Sequence, residues 1–79
     1  MTVTLHLYAT LAKYLPESAQ DKSVCLSLAP GQTVKDALAA LQVPPEKVKL
    51  IFVNGVHARF DTELSPGDRV GAFPPVGGG

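Results

Sequence analysis

The chemically distinctive part of the chain is the segment 73–79, which reads FPPVGGG. Proline fixes φ and has no backbone N–H, whereas glycine carries no side chain that would obstruct a narrow channel. A carboxylate at the end of such a segment becomes a good electrophile once adenylation with ATP has converted its oxygen into a leaving group. Two interpretations are open from the residues alone: an end without a function, or a thin extension whose terminal carboxyl group reacts.

The other side chains with reactive potential are Cys25, His6 and His57. A single cysteine cannot form an internal disulfide or hold an iron–sulfur cluster, and it indicates a reducing compartment. Neither histidine has a second ligand at metal-binding spacing, so both are predicted to have surface or structural roles, and Cys25 is predicted to be a small packing residue. The glycines of PGQT and SPGD lack the spacing of a nucleotide-binding loop and indicate turns. We therefore expect no bound metal or cofactor.

Composition limits the class of protein. The 79 residues allow one domain, and 46% apolar with 18% charged residues is ordinary for a globular protein. Seven basic residues balance seven acidic ones, so no net charge attracts nucleic acid or anionic lipid. No apolar run approaches the ~20 residues of a membrane span. We expect a cytoplasmic protein that binds neither nucleic acid nor membrane.

The first part of the chain predicts two strands with a short helix between them. Residues 2–8 and 23–28 alternate between apolar and polar side chains, and the second strand is expected to return against the first as in a hairpin. Between them, TLAKYLP repeats apolar residues at helical spacing, with Thr10 as a possible cap and Pro16 as the stop. The inward face of the first strand is predicted to comprise Val3, Leu5 and Leu7.

The main helix is predicted to begin at Thr33. This threonine is a suitable N-cap, and Asp36 lies three residues on, where a carboxylate favours the amides of the first turn. An apolar stripe at i, i+3, i+4 and i+7 follows, and Pro44 and Pro45 are predicted to end the helix. The stripe consists of Val34, Ala37, Leu38 and Leu41.

The last part of the chain predicts three further strands joined by tight turns. The run LIFV at 50–53 is apolar on both faces, which favours a strand covered on both sides of a sheet; a docking patch on one face is the alternative. Asn54 and Gly55 supply the positive φ values of a two-residue hairpin turn. The sequence SPGD at 65–68 is typical of a type II turn, and it precedes a final strand that ends near Phe73.

Together these elements predict an α+β fold. One amphipathic helix and several alternating strands can bury their apolar faces only against each other. The result is a β-grasp: a mixed sheet of four to five strands, with one main helix packed on one face and a short helix after the first strand. We assign residues 1–73 to this domain and residues 74–79 to a flexible, Gly-rich C-terminal tail.

The chain resembles the ubiquitin-like sulfur carriers of the MoaD and ThiS type. The resemblance is carried by LYATLAKYLPE near the start and by DTELSPGDRVGAFPPVGGG at 61–79, which ends in the family's Phe-Pro-Pro-Val-x-Gly-Gly signature. The short helix and the double proline are similar to the MoaD-type carriers, which are small subunits of molybdopterin synthase. The thiamine carriers of the ThiS type tend to lack both features.

This resemblance implies a carrier without catalytic residues of its own, so the chain is not expected to be an enzyme. A MoeB-type adenylating enzyme would use ATP to activate the carboxylate of Gly79, and a sulfurtransferase would supply the sulfur of a thiocarboxylate. A MoaE-type large subunit would then move that sulfur to the pterin precursor in molybdenum cofactor biosynthesis. The resemblance assigns partner binding to Phe73, Pro74, Pro75, Val76, Gly77 and Gly78.

Two alternatives stay open at this point. The chain could carry sulfur for thiamine or for another sulfur-containing metabolite. It could also be a ubiquitin-like modifier whose Gly79 is joined to lysines of target proteins. The sequence does not separate these functions from the molybdopterin pathway.

Overall fold

The computed structural model describes residues 1–17, 19 and 21–75. That part of the chain contains five strands and three short helices. The strands are β1 (Thr2–Leu7), β2 (Ser23–Ser27), β3 (Leu50–Val53), β4 (Val56–His57) and β5 (Arg69–Phe73). The helices are α1 (Val34–Ala40) and two 3-10 helices, Ala9–Tyr14 and Pro45–Lys47. No helix in the described part has the length and apolar content that crossing a bilayer requires.

The central strand of the sheet is β5. The strand order is β2-β1-β5-β3-β4, with β1 and β5 parallel and every other neighbouring pair antiparallel. A parallel pair needs a long crossover between its strands, and the chain between β1 and β5 contains α1. The predicted α+β fold with a β-grasp sheet is confirmed, and so is the antiparallel return of β2 against β1.

The core lies between α1 and one face of the sheet. Alternate residues of β1 and β5 are buried, together with three residues at helical spacing on α1. These buried residues are Val3, Leu5, Leu7, Val34, Ala37, Leu38, Val70 and Ala72. The alternation in β1 and three of the four residues of the predicted stripe are therefore confirmed as core, whereas the fourth, Leu41, is the C-cap residue of α1 and is half-buried against the core.

The start of α1 is held by Asp36. Its carboxylate accepts hydrogen bonds from the backbone N–H of Thr33 at 2.8 Å and from the hydroxyl of Thr33 at 3.2 Å. Thr33 is the N-cap residue, as predicted. The predicted end was wrong: α1 stops at Ala40, because Gln42 adopts a φ of 60° and turns the chain before the prolines. Pro45 instead begins the second 3-10 helix, where its missing N–H removes no helical hydrogen bond.

The helix after β1 exists, but its cap differs from the prediction. It is the 3-10 helix Ala9–Tyr14, and its N-cap residue is Tyr8, with an extended backbone, instead of Thr10. Ala9 has a φ of 52°, so the chain turns sharply as β1 ends. Leu11 is buried in the core and anchors this helix to the domain.

Two glycine turns follow the prediction. Asn54 and Gly55 have φ values of 52° and 82°, as a two-residue hairpin requires, and Gly67 has a φ of 83° in the turn before β5. The Asn54 side chain joins these two turns. Its Nδ2 donates to Oδ1 of Asp68 at 2.9 Å, and its Oδ1 accepts from the backbone N–H of Arg69 at 2.9 Å.

Strand β3 is covered on one face only, so the prediction of cover on both faces was wrong. Ile51 is 3% exposed and belongs to the core, whereas Leu50 is 40% exposed and Phe52 is half-buried. The helices with buried residues, α1 and the first 3-10 helix, contribute to one and the same core cluster. No described element therefore covers the opposite face of the sheet.

Candidate functional site

The uncovered face of the sheet carries a cluster of rings. Strand register places His6, Gly71, Phe52 and His57 side by side on β1, β5, β3 and β4, and Phe73 lies two residues beyond Gly71. On β1, β5 and β3 these residues alternate with buried ones, so they point away from the core, and His57 on β4 is itself exposed. Tyr8, directly after β1, adds a further ring. We refer to the rings of His6, Tyr8, Phe52, His57 and Phe73 as the aromatic surface.

Phe73 is the centre of the ring contacts. Its ring stacks on that of Tyr8 with centroids 4.3 Å apart and planes 4° from parallel. Phe52 meets Phe73 edge to face at 5.8 Å and 89°. His57 lies against Phe52 at 5.7 Å and 77°, and His6 stacks on Tyr8 at 6.1 Å. Both arrangements are favoured by the charge distribution of aromatic rings, so the five rings form one continuous layer.

A depression opens at the middle of this layer because Gly71 has no side chain. A Cβ built on Gly71 would lie 3.4 Å from Cε2 of Tyr8 and 3.8 Å from Cε1 of Phe73, which are ordinary contact distances. Phe52 and Arg69 also line the depression. The arrangement offers an apolar side chain of another molecule a place between aromatic rings.

We refer to residues 73–76 as the neck, and its first residue, Phe73, belongs to the aromatic surface. Phe73 is the last residue of β5, and its carbonyl accepts a hydrogen bond from the N–H of Lys49 at 2.8 Å. Pro74 and Pro75 follow and are half-buried. The remaining predicted site residues, Val76, Gly77, Gly78 and Gly79, lie outside the described part of the chain. The roles of all the predicted site residues, including Phe73 and the two prolines, stay predictions.

The other candidates from the sequence do not form a site. Within the described residues, no group of three or more His, Cys, Asp or Glu side chains converges as a metal site would require. Cys25 is exposed on β2 opposite Thr4, so its predicted packing role was wrong: alternation turns Val24 and Leu26 toward the core and Cys25 away from it. His57 is exposed, which agrees with its predicted surface role.

Sequence reasoning missed the aromatic surface as a unit, although its signals were present. His6 and Tyr8 occupy the outward positions of the first alternating segment, and the run 50–53 is apolar on both faces. What the sequence did not supply was the strand order that brings Tyr8 and Phe52 to opposite sides of Phe73.

Comparison with known proteins identifies the family. The model of the Mut7-C ubiquitin family matches residues 1–77. The chain belongs to this family. No curated protein matches the sequence of this family member.

Several solved structures share the fold of this Mut7-C ubiquitin family member. SAMP1 of Haloferax volcanii, a small archaeal modifier protein, is 26% identical with a TM-score of 0.74, covering 100% of both chains. A Pyrococcus furiosus chain assigned as subunit 1 of a molybdopterin converting factor is 27% identical with a TM-score of 0.67, covering 95% of this chain and 98% of that chain. The complex of subunits 1 and 2 of the molybdopterin-converting factor from Helicobacter pylori contains a chain that is 20% identical, with a TM-score of 0.62 over 100% of both chains.

These relatives confirm the resemblance to ubiquitin-like carriers of the MoaD type, and they add the SAMP proteins to it. At 20% identity, the Helicobacter pylori structure supports the fold alone. The family and the fold are thereby established for residues that include the aromatic surface and the start of the neck.

Proposed function

We propose that this chain is a sulfur-carrier protein that serves as the small subunit of a molybdopterin synthase. The observation that carries the proposal is the position of Phe73. It ends the central strand, it is the centre of the aromatic surface, and it is the first residue of FPPVGGG. The surface available to a partner is therefore continuous with the segment that would enter the partner's active site.

The proposed chemistry starts at the carboxylate of Gly79. A MoeB-type adenylating enzyme joins this carboxylate to the α-phosphate of ATP and releases pyrophosphate. The sulfur of a sulfurtransferase persulfide displaces AMP, and cleavage of the resulting acyl disulfide by a thiol leaves a thiocarboxylate. A thiocarboxylate is a good sulfur nucleophile, so it can deliver sulfur to a pterin precursor held by a MoaE-type large subunit. In this scheme the acid–base groups belong to the partner, and the chain itself is not an enzyme.

The aromatic surface supplies the affinity in this proposal. Clustered aromatic residues near the centre of an interface contribute most of the binding free energy in many complexes. Phe52 and Phe73 expose part of their rings, Leu50 beside them is 40% exposed, and the Gly71 depression lies between the rings. We propose that the large subunit binds this face, because a partner that binds there holds the neck at the edge of its own interface. The similarity to the Pyrococcus furiosus subunit 1 supports the role of a small subunit.

A second function is favoured by one specific observation. SAMP1, which is named as a modifier protein, matches this chain over its whole length at 26% identity. A modifier would use the same adenylate at Gly79. The nucleophile that displaces AMP would then be a lysine amine of a target protein, whereas in the sulfur carrier it is the persulfide sulfur. The two functions share the first step and differ in the nucleophile that follows.

Reconstitution distinguishes these functions. The chain is incubated with ATP, a MoeB-type adenylating enzyme and a sulfurtransferase, and then with a MoaE-type subunit and the pterin precursor. Formation of molybdopterin that depends on every component is the expected result. In parallel, protein digests are searched by mass spectrometry for Gly79 linked to lysine. Lysine adducts without molybdopterin would assign the modifier function instead. The absence of both products would overturn both proposed functions.

A further inference from the structure

Strand β5 ends at Phe73 although its neighbours still reach it there. On one side, the N–H of Tyr8 donates to the carbonyl of Ala72 at 3.2 Å. On the other side, the N–H of Lys49 donates to the carbonyl of Phe73 at 2.8 Å. Backbone groups that flank both neighbouring strands are therefore present at the end of β5. Two features can end the strand there: the turn of the chain at Ala9 on the β1 side, and the two prolines that follow Phe73.

The backbone groups of β5 alternate between its two neighbours, as those of a central strand must. The carbonyls of Asp68 and Ala72 accept hydrogen bonds from N–H groups at the β1 side. The carbonyls of Arg69 and Phe73 accept hydrogen bonds from N–H groups that flank β3. Even-numbered residues of this strand thus pair with β1, and odd-numbered residues pair with the β3 side.

The next two donors of the strand are both absent. By this alternation, the N–H at position 74 would be directed at the carbonyl of Tyr8, and the N–H at position 75 would be directed at the β3 side. Pro74 and Pro75 have no N–H, so neither hydrogen bond can form. The carbonyl of Tyr8 instead accepts from the N–H of Leu11, at 3.0 Å, in the first 3-10 helix. One proline would end the pairing on one side only, whereas two in succession end it on both.

We infer that Pro74 and Pro75 terminate the central strand on both of its sides and keep the following backbone available to a partner. Without the prolines, the backbone after Phe73 would carry one N–H directed at the carbonyl of Tyr8 and one directed at the β3 side. Under the function proposed above, on which this consequence rests, the prolines are positioning residues that keep the route to Gly79 out of the sheet. Their structural role does not depend on that function.

Amide hydrogen exchange tests the structural role directly, because Pro→Ala substitution creates the N–H groups that the chain lacks. Pro74→Ala, Pro75→Ala and the double variant are compared by NMR, with Pro30→Ala, at an exposed turn, as the control. We expect the new amides at positions 74 and 75 of the double variant to exchange roughly tenfold slower than in an unstructured peptide. Each single variant should show protection at its own position. Exchange at the unstructured rate at both positions of the double variant would overturn the inference.

The rate of pyrophosphate release with the adenylating enzyme tests the positioning role. We expect a lower rate for the double variant and an unchanged rate for Pro30→Ala. Protected amides together with an undiminished rate would overturn the positioning role. If the unsubstituted chain released no pyrophosphate, the proposed function would fail, and the exchange measurement would still decide the role of the prolines.

Discussion

The rings of Tyr8 and Phe73 stack at 4.3 Å with planes 4° from parallel, and this contact joins the end of β1 to the last residue of β5. It fixes the residue from which the neck departs. Phe73 is also held by its backbone, since its carbonyl accepts from Lys49 on the other side. The start of the neck is thus held on both sides, by a ring contact and by a hydrogen bond.

The stack should appear as a coupling energy between the two residues. In a double-mutant cycle of Tyr8→Ala and Phe73→Ala, we expect about 0.5–1.5 kcal/mol of coupling in the free energy of unfolding, because stacked rings attract each other beyond their burial. Urea denaturation of the four proteins measures it. Additive effects would show that the rings lie together without stabilising each other.

The Gly71 depression should be required for binding and dispensable for folding. Gly71→Leu places an isobutyl group between the rings, and we expect it to weaken binding of a MoaE-type subunit by about 2 kcal/mol or more, about thirtyfold. The melting temperature of Gly71→Ala should change little, because its Cβ meets only ordinary contacts at 3.4 and 3.8 Å. Calorimetry measures the affinity. Gly71→Ala is the matched control, and equal affinities for all three proteins would place the partner elsewhere.

The core between α1 and the sheet and the uncovered face of the sheet should respond differently to the same substitution. Leu38 on α1 is 2% exposed, so Leu38→Ala should lower the free energy of unfolding by about 2–5 kcal/mol. Leu50 on the uncovered face is 40% exposed, and Leu50→Ala should cost less than about 1 kcal/mol. Thermal unfolding of both variants checks the difference. Equal losses would contradict the assignment of Leu50 to an uncovered face.

Asn54 should stabilise the domain in two separable ways. Its backbone has a φ of 52°, and its side chain bonds Asp68 and the N–H of Arg69. Asn54→Gly keeps the positive φ and removes the side-chain bonds, so we expect a loss of about 1–3 kcal/mol. Asn54→Ala adds the cost of a left-handed backbone, about 1–2 kcal/mol more. Denaturation midpoints rank the variants, and an alanine variant as stable as the glycine variant would argue against strain at this position.

The spacing of apolar residues along the sequence predicted those elements in which every second, third or fourth residue contacts the core. The alternation of β1 and the stripe on α1 predicted the buried residues, because in each element the apolar residues lie on the single face that packs against the core. The end of α1 was wrong because Gln42, at a φ of 60°, stops the helix before the more conspicuous Pro44. Residue propensities would not predict that this glutamine, and not another polar residue near the end of the helix, adopts a left-handed backbone conformation.

The neck was proposed as a site from the sequence, whereas the aromatic surface became visible only in the fold. The sequence FPPVGGG is a local signal, so Phe73 and the prolines were assigned without knowledge of the fold. The contacts of Phe73 with Tyr8 and Phe52 join residues far apart in the chain. They depend on β5 lying between β1 and β3, which only the strand order supplies.

The mass of the C-terminal peptide tests the proposed function most directly. The chain is produced together with its adenylating enzyme and sulfurtransferase, isolated without reductive or acidic treatment, and measured by intact mass and fragmentation. We expect a mass increase that corresponds to sulfur in place of oxygen, located at Gly79, and no such increase in a variant that lacks Gly79. An unchanged carboxylate at Gly79 when both enzymes are active on a known carrier would contradict the proposal.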